Sequence, residues 1–269
     1  MSYLLWKRLT RRFSFYVALG IGLAISIAQF WTDQFHLKED LVGIGGISFT
    51  PYTKWLGMDN AISDYSSLYM FLLPIVVTLP LADLYAKDRR TGFYRFLIVR
   101  GNYRKYFTNL FFLNFITGMF VATFPLIMNI YLSFMRLPNI KPDKIINQEI
   151  TLMKTTTFFP DLYYTHPFVH MLFYVLLIGI FGGIFASIAL SIGMFVKKSF
   201  IILLAPFLFQ YGLNMIFSMS GHPEMIATNF MLEYSANGVS FTSMIIQLFM
   251  GIIISLVLYV IGVKNYVIH

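Results

Sequence analysis

Marking each charged residue and reading the intervals between them leaves six long uncharged runs: Phe13 to Thr32 (20 residues), Tyr65 to Ala82 (18), Tyr106 to Met135 (30), Leu162 to Val196 (35), Ser199 to Pro223 (25) and Tyr234 to Val263 (30). A helix crosses the hydrocarbon core of a bilayer with about 20 apolar residues, so the pattern predicts six transmembrane helices, spans 1 to 6. A further interval, Leu41 to Thr53, has 13 residues, four of them Gly or Pro. It is too short and too broken to cross, and reads as surface.

Within the spans, small residues recur at helical spacing. Span 1 carries Gly20, Ala24 and Ala28 on one stripe and Ala18, Gly22 and Ser26 on the next. Span 4 repeats Gly179, Gly183, Ser187 and Ser191 every fourth residue, with Gly182 and Ala186 beside them. Such stripes let helix backbones approach closely in lipid, and span 4 is expected to be a helix-packing seam. Pro74 and Pro80 in span 2 and Pro125 in span 3 each remove a backbone donor and are candidate kinks. Between spans 5 and 6, His222-Pro223-Glu224 followed by an apolar side predicts a short helix at the outer interface.

Composition agrees with a membrane protein: 58% of the residues are hydrophobic and only 12% charged, far from the balance of a water-soluble domain. The basic residues are asymmetric. With the N-terminus inside, fourteen of the twenty Lys and Arg residues fall in cytoplasmic segments, whereas of the twelve acids only Asp83 and Asp88 do. The positive-inside rule therefore puts both termini in the cytoplasm. Residues 1–12 set Leu5, Trp6, Leu9 and Phe13 against Lys7, Arg8, Arg11 and Arg12. This suits either a short helix in the inner headgroup layer or simple basic anchoring. The apolar run that follows is too long for a signal peptide and is expected to be an uncleaved first helix. The chain reads as an all-α polytopic membrane protein, one domain over residues 1–269.

Little here points to catalysis. The chain has no cysteine, which excludes disulfides, thiolate metal sites and a Cys nucleophile. Gly193 to Ser199 lacks the second glycine of a phosphate-binding loop. His166 and His170 stand four apart near Asp161, but Pro167 points to a helix start there and no metal is expected. Asp83, the only acid next to a span, is placed to pair with Lys87 at i+4. The basic charge is spread along one membrane face, which argues against a nucleic-acid partner. An enzyme is not expected.

The one long polar segment on the basic side is Asp83 to Asn109, with seven Lys and Arg residues around Phe93, Phe96 and Leu97 at helical spacing. It offers a docking element for a protein groove or a lipid surface. Six spans, cytoplasmic termini and this segment between spans 2 and 3 resemble the permease subunit of type-2 ABC transporters. Asp88, Gly92, Phe96, Leu97, Arg100 and Tyr103 or Tyr106 fit the acid, glycine, apolar, basic and tyrosine order of that family. Asn109 stands where the family often has a lysine.

The resemblance implies a bacterial cytoplasmic-membrane subunit that pairs with a second permease, itself or a homologue, and binds separate ABC ATPase subunits. ATP would be held by those partners and the chain would need no cofactor. Asp88, Gly92, Phe93, Arg95, Phe96, Leu97, Arg100 and Arg104 would form an amphipathic coupling helix, Arg95 and Arg100 making charged contacts at the rim of a groove on the ATPase. The aromatic, Met-rich spans fit export of, or immunity to, a hydrophobic or amphipathic compound such as an antimicrobial peptide or drug. Two other classes fit the layout: a non-transporting scaffold or sensor subunit, and an ion-coupled carrier, which would need ionisable groups at mid-membrane that are not seen.

Overall fold

The computed structural model describes residues 2–35, 49–58, 64–92, 103–144 and 152–267, and all regular structure among them is helical. In chain order the helices are α1 (Ser2–Thr10), α2 (Phe13–Phe30, continued by a π turn, Trp31–Phe35), α3 (Tyr65–Val76), α4 (Leu84–Thr91), α5 (Tyr103–Arg136), α6 (Pro160–Thr165), α7 (Pro167–Ile192), α8 (Ser199–Met219), α9 (Ala227–Phe230) and α10 (Phe241–Val267). Among the described residues, five helices are long and apolar enough to cross a membrane: Phe13–Phe35, Arg104–Arg136, Pro167–Ile192, Ser199–Met219 and Phe241–Asn265. The protein is a multi-pass membrane protein.

Helix α7 is the axis of the bundle. Its longest contact is with α5, and α10, α8 and α3 also pack against it. The small residues of span 4 explain the close approach. A methyl added at Gly182 would sit 2.6 Å from Ala122 Cβ and 3.0 Å from the Gly118 carbonyl oxygen of α5. One added at Gly179 would meet Thr123, and one at Gly183 would meet the ring of Phe115. Lower on the seam, the Ser191 hydroxyl donates to the Ser255 carbonyl of α10 at 2.8 Å, and Ser187 is buried. Gly179, Gly183 and Ser191 thus contact other helices of the same chain, and Ser187 is buried beside them. The Gly22 and Ser26 stripe of α2 packs in the same way on Pro125 of α5, the Ser26 hydroxyl donating to the Pro125 carbonyl at 3.0 Å.

Span 2 is broken where a single kinked helix was expected. Helix α3 ends at Val76, seven residues of turn follow, and α4 begins at Leu84. Pro80 has no N–H to give and its ring crowds the preceding turn, so the helix does not continue through it. Arg12 satisfies a carbonyl freed by the break, its Nη1 donating to Pro80 O at 2.8 Å. Helix α4 stops on Gly92, whose φ of 72° is the left-handed conformation that glycine adopts without steric cost.

The surface reading of Leu41 to Thr53 does not hold for the residues described. Thr50 to Met58 are all buried, wedged between α2, α5 and the 222–240 segment. The wedge has no helix or strand, so its backbone is satisfied by amides of the neighbouring helices. Gln29 and Gln34 both donate to the Lys54 carbonyl, at 2.9 and 2.7 Å, and Leu56 N–H donates to Asn129 Oδ1 at 2.7 Å. Asn129 in turn donates to Gln29 Oε1 at 2.8 Å. Buried polar groups must find partners, and here a ring of side-chain amides supplies them. Phe230 and Met231 of the predicted short helix are also fully buried, so this element packs into the protein core.

Candidate functional site

At the base of the bundle the sequence α1–α4–α5 encloses a cluster of buried charges. Leu5 and Leu9 on one side of α1 are buried against Leu81, Leu84, Tyr85, Tyr106 and Phe107, while Tyr3 and Trp6 on the other side are exposed. The alternation that suited a surface helix is therefore resolved as a helix docked on protein. This docking aims Arg8 and Arg12 inward. Arg8 Nη1 donates to Asp88 Oδ2 at 2.8 Å, and its Nη2 donates to Oδ1 of the same carboxylate. Tyr106 of α5 gives its hydroxyl to Asp88 Oδ2 at 2.9 Å.

Asp83, one turn earlier, receives Arg12 Nη2 and Lys87 Nζ, each at 2.7 Å. The expected i+4 pair with Lys87 is present, with Arg12 as an unforeseen third member. Burial opposes ionisation of Asp83, but the two cations outweigh it and hold its carboxyl below the usual carboxylate range. The guanidinium of Arg8, paired with Asp88, is pushed further towards its charged form. A forked guanidinium on a carboxylate is a rigid, charge-assisted contact.

Of the residues singled out for coupling, Asp88 is buried in this cluster, Gly92 caps α4, and Arg104 is exposed on the first turn of α5. Phe93, Arg95, Phe96, Leu97 and Arg100 lie outside the described residues. What the structure adds is the tie across that stretch. Asp88 before it and Tyr106 after it are hydrogen-bonded to each other, and both are locked to α1 through Arg8. Sequence reasoning grouped Arg8 and Arg12 only as positive-inside charge, and nothing local marks them as partners of acids far along the chain.

A second polar cluster sits at the opposite end of the bundle and was not foreseen. Glu233 is fully buried, its Oε1 2.6 Å from His170 Nδ1 and its Oε2 accepting the indole N–H of Trp55. His170 Nε2 is 2.7 Å from the Phe158 carbonyl. A carbonyl only accepts, so Nε2 carries a proton, and the contact with Glu233 holds one proton between Nδ1 and Oε1. Burial raises the Glu233 carboxyl above its ordinary range. His170, considered above beside His166 and Asp161 as a metal ligand, is committed to this acid, and no group of three potential ligands occurs among the described residues.

The cluster fastens the connecting segments at this end to one another: Glu233 N–H donates to Gly57 O at 2.8 Å and Ser235 N–H to Thr156 O at 3.1 Å. Asp83 is not the only acid beside a span: Asp33 directly follows Phe13–Thr32 and Glu233 directly precedes Tyr234–Val263, and both are buried, as is Asp88. Asp33 lies in the π turn that closes the Phe13–Phe35 span, Asp88 in the middle of α4, and Glu233 in the segment between α9 and α10. Compared with family models, curated proteins and solved structures, the chain matches none.

Proposed function

We propose that the chain is the permease subunit of a type-2 ABC transporter in a bacterial cytoplasmic membrane. It would export, or confer immunity to, a hydrophobic or amphipathic compound such as an antimicrobial peptide or drug, with ATP hydrolysed by separate ATPase subunits docked on the segment around Gly92 to Arg104. The observation that carries the reading is the tie of Asp88 to both Arg8 and Tyr106. A segment that receives a mechanical input must be held firmly at both ends, and the tie gives it a rigid base shared by α1, α4 and α5. An amphipathic stretch that merely rests on lipid has no need of such a base.

A second permease copy, in this reading, pairs through the exposed sides of α2 or α8, because the small-residue seam of α7 is already covered by α5. Apolar side chains in the groove supply most of the docking energy, each truncation costing about 1 to 3 kcal/mol. Rim arginines contribute less and in a salt-dependent way. The test is the Phe93→Ala/Phe96→Ala chain co-expressed and purified with a candidate ABC ATPase subunit. Co-purification should weaken and substrate-stimulated ATP hydrolysis should disappear. Wild-type behaviour in both assays makes the segment a lipid anchor and leaves the scaffold reading in its place.

A further inference from the structure

A pocket of about 360 Å³ opens between α1 and α4 at the base of the bundle. Five of the six side chains that line it are cations, Lys7, Arg8, Arg11, Arg12 and Lys87, and the sixth is Leu84. The two carboxylates bound to these cations are already committed, Asp88 to Arg8 and Asp83 to Arg12 and Lys87. Lys7 and Arg11 are exposed and have no side-chain partner among the described residues. Five cations against two carboxylates leave the pocket a net positive charge of three. Like charges gathered in one concavity repel one another and concentrate anions there.

The cations are presented by a fixed corner. Arg11 and Arg12 form the turn between α1 and α2, which is closed by Arg12 N–H on the Leu9 carbonyl at 3.0 Å and by the Tyr16 hydroxyl, donating to the Thr10 carbonyl at 2.8 Å. Arg8, Arg12 and Lys87 keep 28%, 15% and 44% of their side chains exposed despite their pairing, so the charge is open to a ligand. The level of the pocket in the membrane is set as well. The span Phe13–Phe35 starts one residue beyond Arg12, where hydrocarbon gives way to phosphate headgroups. Phe13 and Tyr16 are exposed at that level, as are Tyr3 and Trp6 on α1, and tyrosine and tryptophan are the side chains that settle at a membrane interface.

We propose that this pocket binds the headgroup of a dianionic phospholipid, one that ends in a phosphomonoester. Lys7 and Arg11 take the phosphate oxygens in charge-assisted hydrogen bonds, the paired cations behind them add to the field, and the acyl chains run beside Phe13 into the hydrocarbon. A phosphomonoester carries a charge of about −1.5 to −2 at neutral pH and answers the excess better than the single charge of a phosphodiester. A soluble phosphate offers the same oxygens, but a water-borne anion makes no use of the exposed aromatics or of the start of a span. The site is independent of the ATPase reading, since none of its cations lies between Gly92 and Arg104.

The experiment reads, by native mass spectrometry, the lipids retained by the purified full chain on release from phosphatidylcholine nanodiscs doped with phosphatidic acid or, separately, with phosphatidylglycerol. Phosphatidic acid should be retained about fivefold over phosphatidylglycerol, the scale of one added charge at a membrane surface, and further still over phosphatidylcholine. Lys7→Gln/Arg11→Gln leaves both carboxylates paired and should lower that retention about 25-fold, a factor of about five for each cation. Lys7→Arg/Arg11→Lys should preserve it. Lys197→Gln/Lys198→Gln removes two exposed cations between α7 and α8, outside the pocket, and should change it about twofold at most, because screening confines their field. Equal retention of the three lipids by the unaltered chain overturns the site, as does an equal loss from the two Gln pairs. Inorganic pyrophosphate that raises the melting temperature of the chain in pure phosphatidylcholine nanodiscs as much as phosphatidic acid does would assign the pocket to a soluble anion and overturn the lipid.

Discussion

Arg8 and Asp88 are 80 residues apart in the chain and meet as a forked guanidinium on a carboxylate that is 4% exposed, with Nη1 at 2.8 Å from Oδ2. The pair converts a basic N-terminus, which topology alone would place loosely at the membrane surface, into a strut beneath α4 and α5. Removing the cation leaves the carboxylate buried with only the Tyr106 hydroxyl, and uncompensated buried charge is expensive. Arg8→Ala should therefore destabilise the chain by about 3 kcal/mol, read by thermal unfolding in detergent. Arg8→Lys should recover only part of this, because an ammonium cannot fork. Additive losses in a double-mutant cycle with Asp88→Ala would refute direct coupling.

The buried acid at the other end makes stability depend on pH. Since burial raises Glu233 above its ordinary value of 4.5, the fold favours its protonated form. The stabilisation is fully present below that value and is lost as pH rises through the folded-state value. Glu233→Gln keeps an acceptor for Trp55 and supplies a donor for His170, so it should retain the fold and flatten this decline. Glu233→Leu should lose about 3 kcal/mol, since Trp55 Nε1 and His170 Nδ1 then both lose their partner. Circular dichroism melts between pH 4 and 8 distinguish the two. A Gln variant with the parent's pH profile would show that another group governs it.

Gly182 and Gly20 make a matched pair for testing the seam. Gly182→Leu forces a side chain into Ala122 Cβ at 2.6 Å and the backbone oxygen of Gly118, whereas nothing lies within 4 Å of a methyl at Gly20. The first should cost about 3 kcal/mol or prevent folding, and the second should leave the melting temperature unchanged. Because the seam is internal, the damage should appear as loss of the folded chain on size exclusion, with no accumulation of a stable monomer. A folded, dissociated Gly182→Leu chain would instead place the seam between subunits.

Since the chain has no cysteine, single cysteines report topology cleanly. Lys154→Cys is exposed and should react with an impermeant maleimide from outside intact cells. Lys264→Cys, also exposed, should react only after permeabilisation. Lys54→Cys should react from neither side, because position 54 is only 6% exposed within the wedge. Labelling at 264 in intact cells would invert the orientation, and brisk labelling at 54 would unseat the wedge.

Uncharged runs by themselves determined where the long helices lie. Apolar length is a local property, and the lipid requirement that a spanning backbone satisfy its own hydrogen bonds leaves helix as the answer. The small-residue period of Gly179 to Ser191 marked a close contact for the same local reason, as Pro167 marked a helix start. Which helix fills that seam was not local, and only the assembled bundle decided that it is α5 of the same chain. The break at Pro80 was legible as a proline, but its form depended on Arg12 arriving from α1 to take the freed carbonyl.

Least legible were the buried polar groups. Arg8, Asp88, Glu233 and the wedge around Trp55 look in sequence like solvated segments, and His170 like a lone polar residue near the start of span 4, since a polar residue carries no local mark of whether water or a distant side chain will satisfy it. Their burial is decided by partners 63 to 178 residues away, which the tertiary structure alone brings together.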